Sequence, residues 1–578
     1  MSAIAGVWCI DGRPAEPALL ERMAETLAHR GPDGAGVWCE GAVGLAHRAL
    51  RTTPEAFSET LPLVSPNGAF VLTADARLDN RRELLAAFAL PLDDVCPDSE
   101  LILRAYERWG SACPQKLAGD FAFAIWDARA RKLFCARDRF GVRPFCYHHT
   151  PGRAFVFGTE IKALLCVPQV SRRLNEERVG DHVLAVLEDK EATFYRDILR
   201  LPPAHSLTVS TDGLRREAYW SLDPERQVRC SSDEDYAESF REHFCEAVRC
   251  RLRSSVPLGA MLSGGLDSSS VVCTARDLRR QGSDGPLAVF SLLFDAVPQC
   301  DERAFIESVI AQGDLVPHYL RGDEVSPLAG LDQLCRLLDE PLFGPNRFLM
   351  RTVWEAAHGA GCRVVLDGFD GDTTVSHGMV RLTELAATGR WIPLAAEARE
   401  YGRVHRVRVP GLLWKHAVRP LIPVRGSLRS VWRSAHRDTV GAAAPDPLIN
   451  PAFAARAGIG DRLARLQGES AAAPRTERGH HLRRLTTGLL PFVVEQLGQG
   501  AAMFGMEPRH PFLDHRLAEF SLALPGDQKL RHGWRRLILR RAMEGILPSQ
   551  VQWRPGKTDL SPNFTRALLR FERERMDE

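Results

Sequence analysis

Residues 256–280 constrain the fold of this chain more than any other part of the sequence. Residues 256–262 form an apolar run suited to a buried strand, and residues 270–280 continue as a helix. The turn between them reads Ser263-Gly-Gly-Leu-Asp-Ser-Ser269. Two adjacent glycines allow a tight turn and the close approach of an anion, and the free N–H groups at the helix start favour phosphate. The segment therefore predicts a strand–loop–helix unit that holds a phosphate-bearing ligand at its loop.

The loop differs from the Walker type of phosphate loop, because the chain contains no GxxxxGK[ST] pattern. Instead, Ser263, Ser268 and Ser269 add short hydroxyl donors, and Asp267 can hold a divalent cation. This arrangement suits the pyrophosphate released in an AMP-forming reaction better than the transfer of a γ-phosphoryl group.

The hydrophobic pattern divides the chain of 578 residues into two parts, as its length also favours. Up to about residue 210, short β-type runs such as 70–74 and 121–126 are broken by turns and helical stretches, which predicts a layered α+β domain. After a polar stretch at 221–235, apolar strands alternate with amphipathic helices, which predicts a parallel α/β sheet. We therefore expect one domain over residues 1–215 and a second over residues 230–578.

The composition argues against several classes of function. Lys and Arg number 75 against 73 Asp and Glu, so the net charge of +2 gives no global attraction to nucleic acid or to membranes. No apolar run approaches the roughly 20 residues that span a bilayer, and the first residues lack the pattern of a signal peptide. The 14 cysteines include no CxxC pair, which is typical of reduced thiols. We expect a cytoplasmic protein without a nucleic-acid partner or a membrane span.

A basic stretch stands out within the second part. Residues 401–437 contain eight arginines and Lys415 but no acidic residue. Two interpretations remain open: a solvated helical surface, or a docking surface for an acidic peptide or partner protein.

Several motifs together resemble the asparagine synthetase family over nearly the whole chain. In the first part they are His29-Arg-Gly-Pro-Asp-Gly34, Gly119-Asp-Phe-Ala-Phe-Ala-Ile-Trp-Asp127 and Ala136-Arg-Asp-Arg-Phe-Gly-Val-Arg-Pro144. In the second part they are the loop at 263–269, Glu507-Pro-Arg-His-Pro-Phe-Leu-Asp514 and residues 529–541. The resemblance implies an N-terminal-nucleophile-type, glutaminase-like αββα sandwich. An ATP-pyrophosphatase parallel α/β domain of the adenine nucleotide α hydrolase-like class would follow it, with helical additions.

The resemblance also implies a set of ligands and the residues that bind them. ATP and Mg²⁺ are the expected cofactors, and the metal would be shared by Asp267 and Asp372. A second Asp- and Gly-rich segment, 364–378, follows an apolar strand and supplies the latter. The residues expected to bind the nucleotide are Leu262, Ser263, Gly264, Gly265, Leu266, Asp267, Ser268, Ser269, Leu292, Asp367 and Gly368.

The first domain departs from a working glutaminase of this family. Ser2 stands where the family has its nucleophilic cysteine, and a free hydroxyl is a far weaker nucleophile than a thiol. The family's Asn-Gly-Glu, which supplies an oxyanion donor and a carboxylate for the glutamine amine, falls on Asp75-Ala76-Arg77. The loss of one oxyanion donor alone costs about 10²–10³ in rate. We therefore expect a domain that no longer produces ammonia.

Phe369 distinguishes between branches of the family. Asparagine synthetases have glutamate at this place and β-lactam synthetases have tyrosine, whereas phenylalanine has no proton to exchange. The string Asp-Gly-Phe-Asp-Gly-Asp372, with Ser-His-Gly378 after it, instead resembles lasso-peptide cyclases. In that reading Asp370 or His377 takes the proton from the attacking amine, and Lys557 neutralises charge on the reacting oxygens. The pair Gly498-Gln499 replaces the family's Asp-Arg and has no interpretation from sequence.

The expected function is therefore an ATP-dependent macrolactam synthetase that joins an Asp or Glu side chain of a precursor peptide to the peptide's own N-terminal amine. The resemblance implies a leader peptidase and a leader-binding protein as partners. An asparagine synthetase and a β-lactam synthetase are the alternative ligases, and both conflict with Phe369. A non-enzymatic scaffold conflicts with the retained Asp267 and Asp372.

Overall fold

The structure is a computed structural model that describes residues 1–91, 95–282, 285–421, 449–471 and 474–577. Its strands are β1 (Ala3–Cys9), β2 (Gly34–Glu40), β3 (Val43–Ala49), β4 (Leu63–Val64), β5 (Phe70–Leu78), β6 (Gly119–Asp127), β7 (Lys132–Arg137), β8 (Cys146–Thr150), β9 (Ala154–Gly158), β10 (Leu199–Arg200), β11 (His205–Ser210), β12 (Gly213–Ala218), β13 (Leu258–Met261), β14 (Leu287–Leu293), β15 (Leu315–Arg321), β16 (Val364–Leu366), β17 (Glu507–Arg509), β18 (Leu530–Arg531) and β19 (Trp534–Arg535).

Helices precede, connect and follow these strands. In the N-terminal part the α-helices are Pro17–Thr26, Arg81–Ala87, Asp98–Trp109, Cys113–Lys116, Ile161–Leu164 and Glu176–Val183. In the C-terminal part they are Asp233–Leu252, Leu266–Gln281, Arg303–Ile310, Leu331–Leu337, Arg347–Gly359, Gly371–Thr374, Val380–Ala387, Trp391–His405, Val409–Leu413, Pro451–Arg456, Ile459–Ala471, Glu477–Leu485, Leu489–Ala502, His515–Ala523, Gly526–Lys529, Leu537–Ala542, Ser549–Gln552, Ser561–Phe571 and Arg573–Asp577.

The N-terminal part is a sandwich of two six-stranded antiparallel sheets, ordered β10-β8-β9-β1-β3-β2 and β12-β11-β7-β6-β5-β4. Trp8 and Phe155 of the first sheet pack against Ala124 and Leu133 of the second in one buried cluster. Pro17–Thr26 covers the outer face of the first sheet and Asp98–Trp109 covers that of the second. The four layers confirm the expected αββα arrangement.

The C-terminal part is built on five parallel strands in the order β15-β14-β13-β16-β17. Helix Leu266–Gln281 follows β13 directly, so the strand–loop–helix unit predicted at 256–280 is confirmed. Helix Asp233–Leu252 begins at a capping box in which Ser232 and Asp235 satisfy each other's backbone N–H groups. The parallel α/β class with helical additions is confirmed as well.

Several of the added helices lie within or beside the basic stretch 401–437. The end of helix Trp391–His405, helix Val409–Leu413 and the short turns up to Leu421 belong to this stretch, whereas residues 422–437 lie outside the described residues. No helix in the part of the chain that the structure describes is long and apolar enough to cross a membrane.

Candidate active site

The order of the five parallel strands fixes where a ligand can bind. Strand β13 is the first of the five in sequence; β14 and β15 extend the sheet on one side of it, and β16 and β17 on the other. The connections from β13 to β14 and from β15 to β16 therefore lead to opposite sides of β13, and the loops after β13 and β16 diverge at the carboxyl edge. Open α/β sheets bind ligands in this crevice. Both acidic motifs singled out in the sequence follow these two strands.

The loop after β13 is shaped by its glycines and closed by its serines. Gly264 has φ +71°, and a Cβ there would lie 2.9 Å from Cβ of Phe305, so a side chain would be strained and crowded. The hydroxyls of Ser263 and Ser268 are 2.9 Å apart. Ser269 Oγ is buried and has no hydrogen-bond partner among the described residues. The loop thus places the first N–H groups of a long helix at the carboxyl edge of the sheet.

The loop after β16 lies directly against the first loop. A Cβ at Gly368 would lie 2.6 Å from the backbone N of Ser268, and a Cβ at Gly371 would lie 2.8 Å from Cγ of Asp267. Only glycine allows these close approaches. Asp372 follows Gly371 in the chain, so the structure brings Asp267 and Asp372, two residues that are far apart in sequence, to one point of the sheet edge.

The two carboxylates differ in their partners. Arg536 Nη1 lies 2.5 Å from both carboxylate oxygens of Asp267. His377 Nε2 lies 3.5 Å from Asp372 Oδ2, and this hydrogen bond, against the effect of burial, holds the pKa of Asp372 well below its usual range. Asp372 therefore stays ionised near neutral pH, as a metal ligand must.

Asp370 behaves differently from these two. Burial raises the pKa of Asp370 to about 7, and its Oδ2 is buried without a hydrogen-bond partner within the described ranges. The backbone at Asp370 has φ +60°, a left-handed conformation that few residues other than glycine adopt. Such strained, desolvated acids cluster at functional sites.

The donor set fits Mg²⁺ shared with phosphates. Mg²⁺ usually takes one or two carboxylates and completes its octahedron with phosphate oxygens and water. Side-chain exposure is 19% for Asp267 and 50% for Asp372, so oxygens of both remain accessible. The described residues contain no group of three or more His, Cys, Asp or Glu side chains that could hold a metal alone. Phosphate oxygens of a bound triphosphate would supply further ligands for a cation here.

Comparison with protein families supports this interpretation. Residues 239–578 match the family model described as asparagine synthase, and residues 1–220 match the one described as glutamine amidotransferase domain. The chain belongs to the asparagine synthase family. Its relatives include a protein of Bacillus subtilis named asparagine synthetase [glutamine-hydrolyzing] 3, which is 27% identical over 96% of this chain and 86% of its own length. They also include Amidase chyE of Penicillium rubens, 26% identical over 89% of this chain and 79% of its own length.

Two leucines are predicted to bind the nucleotide. They lie at the ends of β13 and β14. Leu262 N donates to Phe290 O at 3.0 Å, and Ser291 Oγ donates to Leu262 O at 2.7 Å, so the two strand ends are held together. Leu292 is partly buried beside Phe290. Their role toward adenine stays a prediction.

Asp367 has a supporting position in the structure. It is buried, and its Oδ1 accepts from Phe369 N at 3.1 Å and lies 2.9 Å from Nδ1 of His510. The ring of Phe369 meets the ring of His510 edge to face at 5.5 Å between centroids. This carboxylate is therefore engaged within the protein, and contact with the nucleotide stays a prediction for it and for Gly368.

Lys557 lies on an exposed loop that is anchored to the phosphate-binding loop. Arg554 Nη1 donates to Gly264 O at 3.2 Å, and its Nη2 donates to Thr558 Oγ1 at 2.8 Å. Glu302 pairs with Arg554 and accepts from Thr558 N at 3.1 Å. The lysine itself is exposed to solvent, and its catalytic role stays a prediction.

Sequence reasoning missed three arginines of this site. Arg536 pairs with Asp267, Arg554 reaches the carbonyl of Gly264, and Arg484 donates to Thr373 Oγ1 at 3.1 Å beside Asp372. Each comes from a segment more than 100 residues away from its partner, and only the folded chain brings them together. For Arg536 the available signal was the excess of arginine within 529–541.

The N-terminal positions that depart from a glutaminase are occupied by internal contacts. Ser2 Oγ accepts from Leu50 N at 2.9 Å. Arg77 is 1% exposed and pairs with Asp79 and Asp120 at 3.1 and 2.9 Å.

The departure at Gly498 also has a structural reason. A Cβ there would lie 2.1 Å from Cε of Met1, so glycine lets Met1 pack onto helix Leu489–Ala502.

Proposed function

We propose that the chain is an AMP-forming macrolactam synthetase of the asparagine synthase family. It adenylates an Asp or Glu side-chain carboxylate of a precursor peptide and joins it to the N-terminal amine of the same peptide, with ATP and Mg²⁺ as cofactors. The observation that carries the proposal is Phe369, whose apolar ring packs on His510 where ammonia-using relatives have a glutamate.

The first step is the displacement of pyrophosphate. A carboxylate oxygen of the peptide attacks the α-phosphorus of ATP, the bond to the β-phosphate oxygen breaks, and pyrophosphate leaves with the electron pair. Asp267 and Asp372 would hold Mg²⁺, which when bound neutralises charge on the phosphates. The N–H groups after β13 would bind the departing pyrophosphate, and Arg536 would neutralise it.

The second step is the attack of the amine on the acyl-adenylate. The amine nitrogen bonds to the acyl carbon, AMP leaves with the electrons of the C–O bond, and the nitrogen loses a proton. His377 or Asp370 would take this proton, since both lie on the loop after β16. Lys557 would neutralise charge on the acyl and α-phosphate oxygens as its loop approaches.

The energetic cost of ring closure does not argue against this function. Closing a ring of about eight residues costs about 1.8 kcal/mol from 1.5RT ln n, plus a constant. Correct positioning of two reacting groups contributes about 7–11 kcal/mol. The demanding task is to hold the peptide tail inside the forming ring, which requires an extended groove. The basic stretch 401–437 would contribute to such a groove.

The N-terminal domain acts in this proposal as a scaffold without glutaminase activity. Lys162 N donates to Asp339 Oδ2 at 3.1 Å, and Phe194 N donates to Glu340 Oε1 at 2.9 Å. The segment that carries Asp339 and Glu340 leads into helix Arg347–Gly359, which precedes β16. Because this helix ends near the start of β16, the segment before the helix lies at the carboxyl edge of the sheet. The domain would thereby support one wall of the peptide site.

The test is to incubate the protein with ATP, Mg²⁺ and candidate precursor peptides and to look by mass spectrometry for the loss of one water. Precursor candidates are short reading frames in neighbouring genes, beside genes for a leader peptidase and a leader-binding protein. We expect a dehydrated, protease-resistant product and AMP. If no peptide is modified while aspartate and ammonia yield asparagine, the proposal is wrong.

An asparagine synthetase is the second candidate, because the relatives named above include one with that name and the glutamine amidotransferase match spans residues 1–220. It predicts AMP formation that depends on aspartate together with ammonia or glutamine. A β-lactam synthetase predicts turnover of a small β-amino acid instead. The same incubation with these compounds separates the three activities.

A further inference from the structure

A second group of ionisable side chains lies behind the loop after β16. Lys529, His481 and Glu477 are buried, with exposures of 0%, 0% and 2%. Lys529 Nζ lies 2.8 Å from His481 Nδ1, and His481 Nε2 lies 3.1 Å from the carbonyl oxygen of Thr374. Because an ammonium and a carboxylate are costly to bury, their joint burial at one point of the fold calls for a reason.

The hydrogen-bond chemistry fixes the state of the histidine. A carbonyl oxygen only accepts, so Nε2 of His481 carries the hydrogen and donates it to Thr374. An ammonium only donates, so Nδ1 of His481 accepts from Lys529. His481 is therefore neutral, and burial, together with the charge of Lys529, holds its pKa well below the usual range. This chain of bonds ends on the backbone of the short helix Gly371–Thr374, which contains Asp372.

Glu477 supplies the countercharge and a second attachment to the same loop. Its Oε1 accepts from Ser376 Oγ at 2.6 Å, and its Oε2 accepts from Val380 N at 3.2 Å. Ser376 has φ +62°, a left-handed conformation that persists only where the surroundings hold it. A Cβ at Gly378 would lie 2.8 Å from the backbone N of Leu530, so the end of the loop packs tightly onto the chain beside Lys529.

We propose that Lys529, His481 and Glu477 are positioning residues of the metal site. They hold residues 374–380 from behind through the Thr374 carbonyl and the Ser376 hydroxyl, and this fixes Asp372 opposite Asp267. The inference rests on the proposed function, because it takes these two aspartates as ligands of Mg²⁺. Groups that orient metal ligands from outside the ligand shell change metal affinity or activity by about 10- to 100-fold when removed.

The test uses variants that remove or preserve the bond to Thr374. Lys529→Met removes the ammonium at similar length, His481→Leu removes both ring nitrogens, and His481→Gln keeps an N–H donor. Val309→Ala is the matched control for lost stability, because Val309 is a fully buried core residue of the same domain. For each folded variant, calorimetry gives the Mg²⁺ concentration at which a non-hydrolysable ATP analogue binds half-maximally. The affinity for adenosine without metal is measured in parallel.

We expect Lys529→Met and His481→Leu to raise the Mg²⁺ requirement about 10- to 100-fold and to leave adenosine binding unchanged. His481→Gln should recover most of the loss, and Val309→Ala should show none. A wild-type Mg²⁺ requirement in both Lys529→Met and His481→Leu, or an equal shift in Val309→Ala, would overturn the inference. If Lys529→Met does not fold, the two His481 variants decide alone.

The experiment separates a failure of the proposed function from a failure of the positioning role. If the wild-type protein shows no Mg²⁺-dependent binding of the ATP analogue, the proposed function fails, and this inference fails with it. If the wild type binds the analogue with Mg²⁺ and the variants need no more metal than it does, only the positioning role is wrong.

Discussion

Gly371→Ala is the substitution that most directly tests the contact between the two acidic loops. The new Cβ would lie 2.8 Å from Cγ and 2.9 Å from Oδ1 of Asp267, closer than non-bonded carbon atoms approach. Asp267 cannot simply swing away, because Arg536 grips both of its carboxylate oxygens at 2.5 Å. The substitution therefore displaces a proposed metal ligand and leaves every charge of the site in place.

The expected cost in stability is small. Overpacking costs about 1–3 kcal/mol. Alanine in place of a helical glycine returns about 0.5–1 kcal/mol, so the free energy of unfolding should fall by about 2 kcal/mol or less. The effect on function should be larger, since a displacement of about 1 Å in a reacting geometry can cost 10²-fold.

The assay is the affinity for Mg²⁺·ATP, measured by calorimetry, beside the unfolding free energy from urea titration. Gly460→Ala is the matched control, because a Cβ at Gly460 meets no atom within 4 Å and the residue lies in a helix. We expect the control to bind like the wild type and to unfold at equal or higher urea. If Gly371→Ala also binds Mg²⁺·ATP like the wild type, Asp267 is not a ligand of the metal–nucleotide complex.

Three further predictions follow from the same site. Arg536→Met, which removes the partner of Asp267, should weaken binding of pyrophosphate and of ATP by about 1.5–3 kcal/mol and leave adenosine binding unchanged, as calorimetry can measure. Lys557→Met should lower kcat about 10²–10³-fold with little effect on the affinity for ATP in equilibrium binding. Burial lowers the pKa of Lys529 to about 8 from its usual 10.5, so between these pH values the unfolded chain binds the extra proton. The stability of the wild type should therefore rise with pH relative to Lys529→Met, by at most about 1.4 kcal/mol per pH unit, in urea titrations from pH 8 to 10; a constant difference would contradict this.

The sequence predicted the parts of the fold that depend on local patterns. The apolar run before Ser263 and the glycines after it specify a strand and a tight turn whatever the rest of the chain does, and the structure contains both. The hydrophobic pattern does not give the order of the parallel strands in the sheet, which only the structure shows. This order shows why the loops that start at Ser263 and at Asp367 meet, because β13 and β16 are neighbouring parallel strands.

The parts of the site that escaped prediction depend on contacts between distant segments. Arg536 is 269 residues from Asp267, and no local pattern marks it as that residue's partner. Gly498 has no interpretation from sequence alone, because Met1, which packs against it, is distant in the chain. The sequence likewise does not indicate that Asp367 is engaged by His510, since the three aspartates of segment 364–378 look alike before folding.

The most direct measurement follows one oxygen atom through the reaction. A precursor peptide whose acidic side chain carries heavy-oxygen-labelled carboxylate is incubated with the protein, ATP and Mg²⁺, and the nucleotide products are analysed by mass spectrometry. Attack of that carboxylate on the α-phosphorus predicts one labelled oxygen in AMP for each macrolactam formed, and unlabelled pyrophosphate. Label in inorganic phosphate together with ADP, or unlabelled AMP beside a cyclised peptide, would contradict adenylation of the side chain.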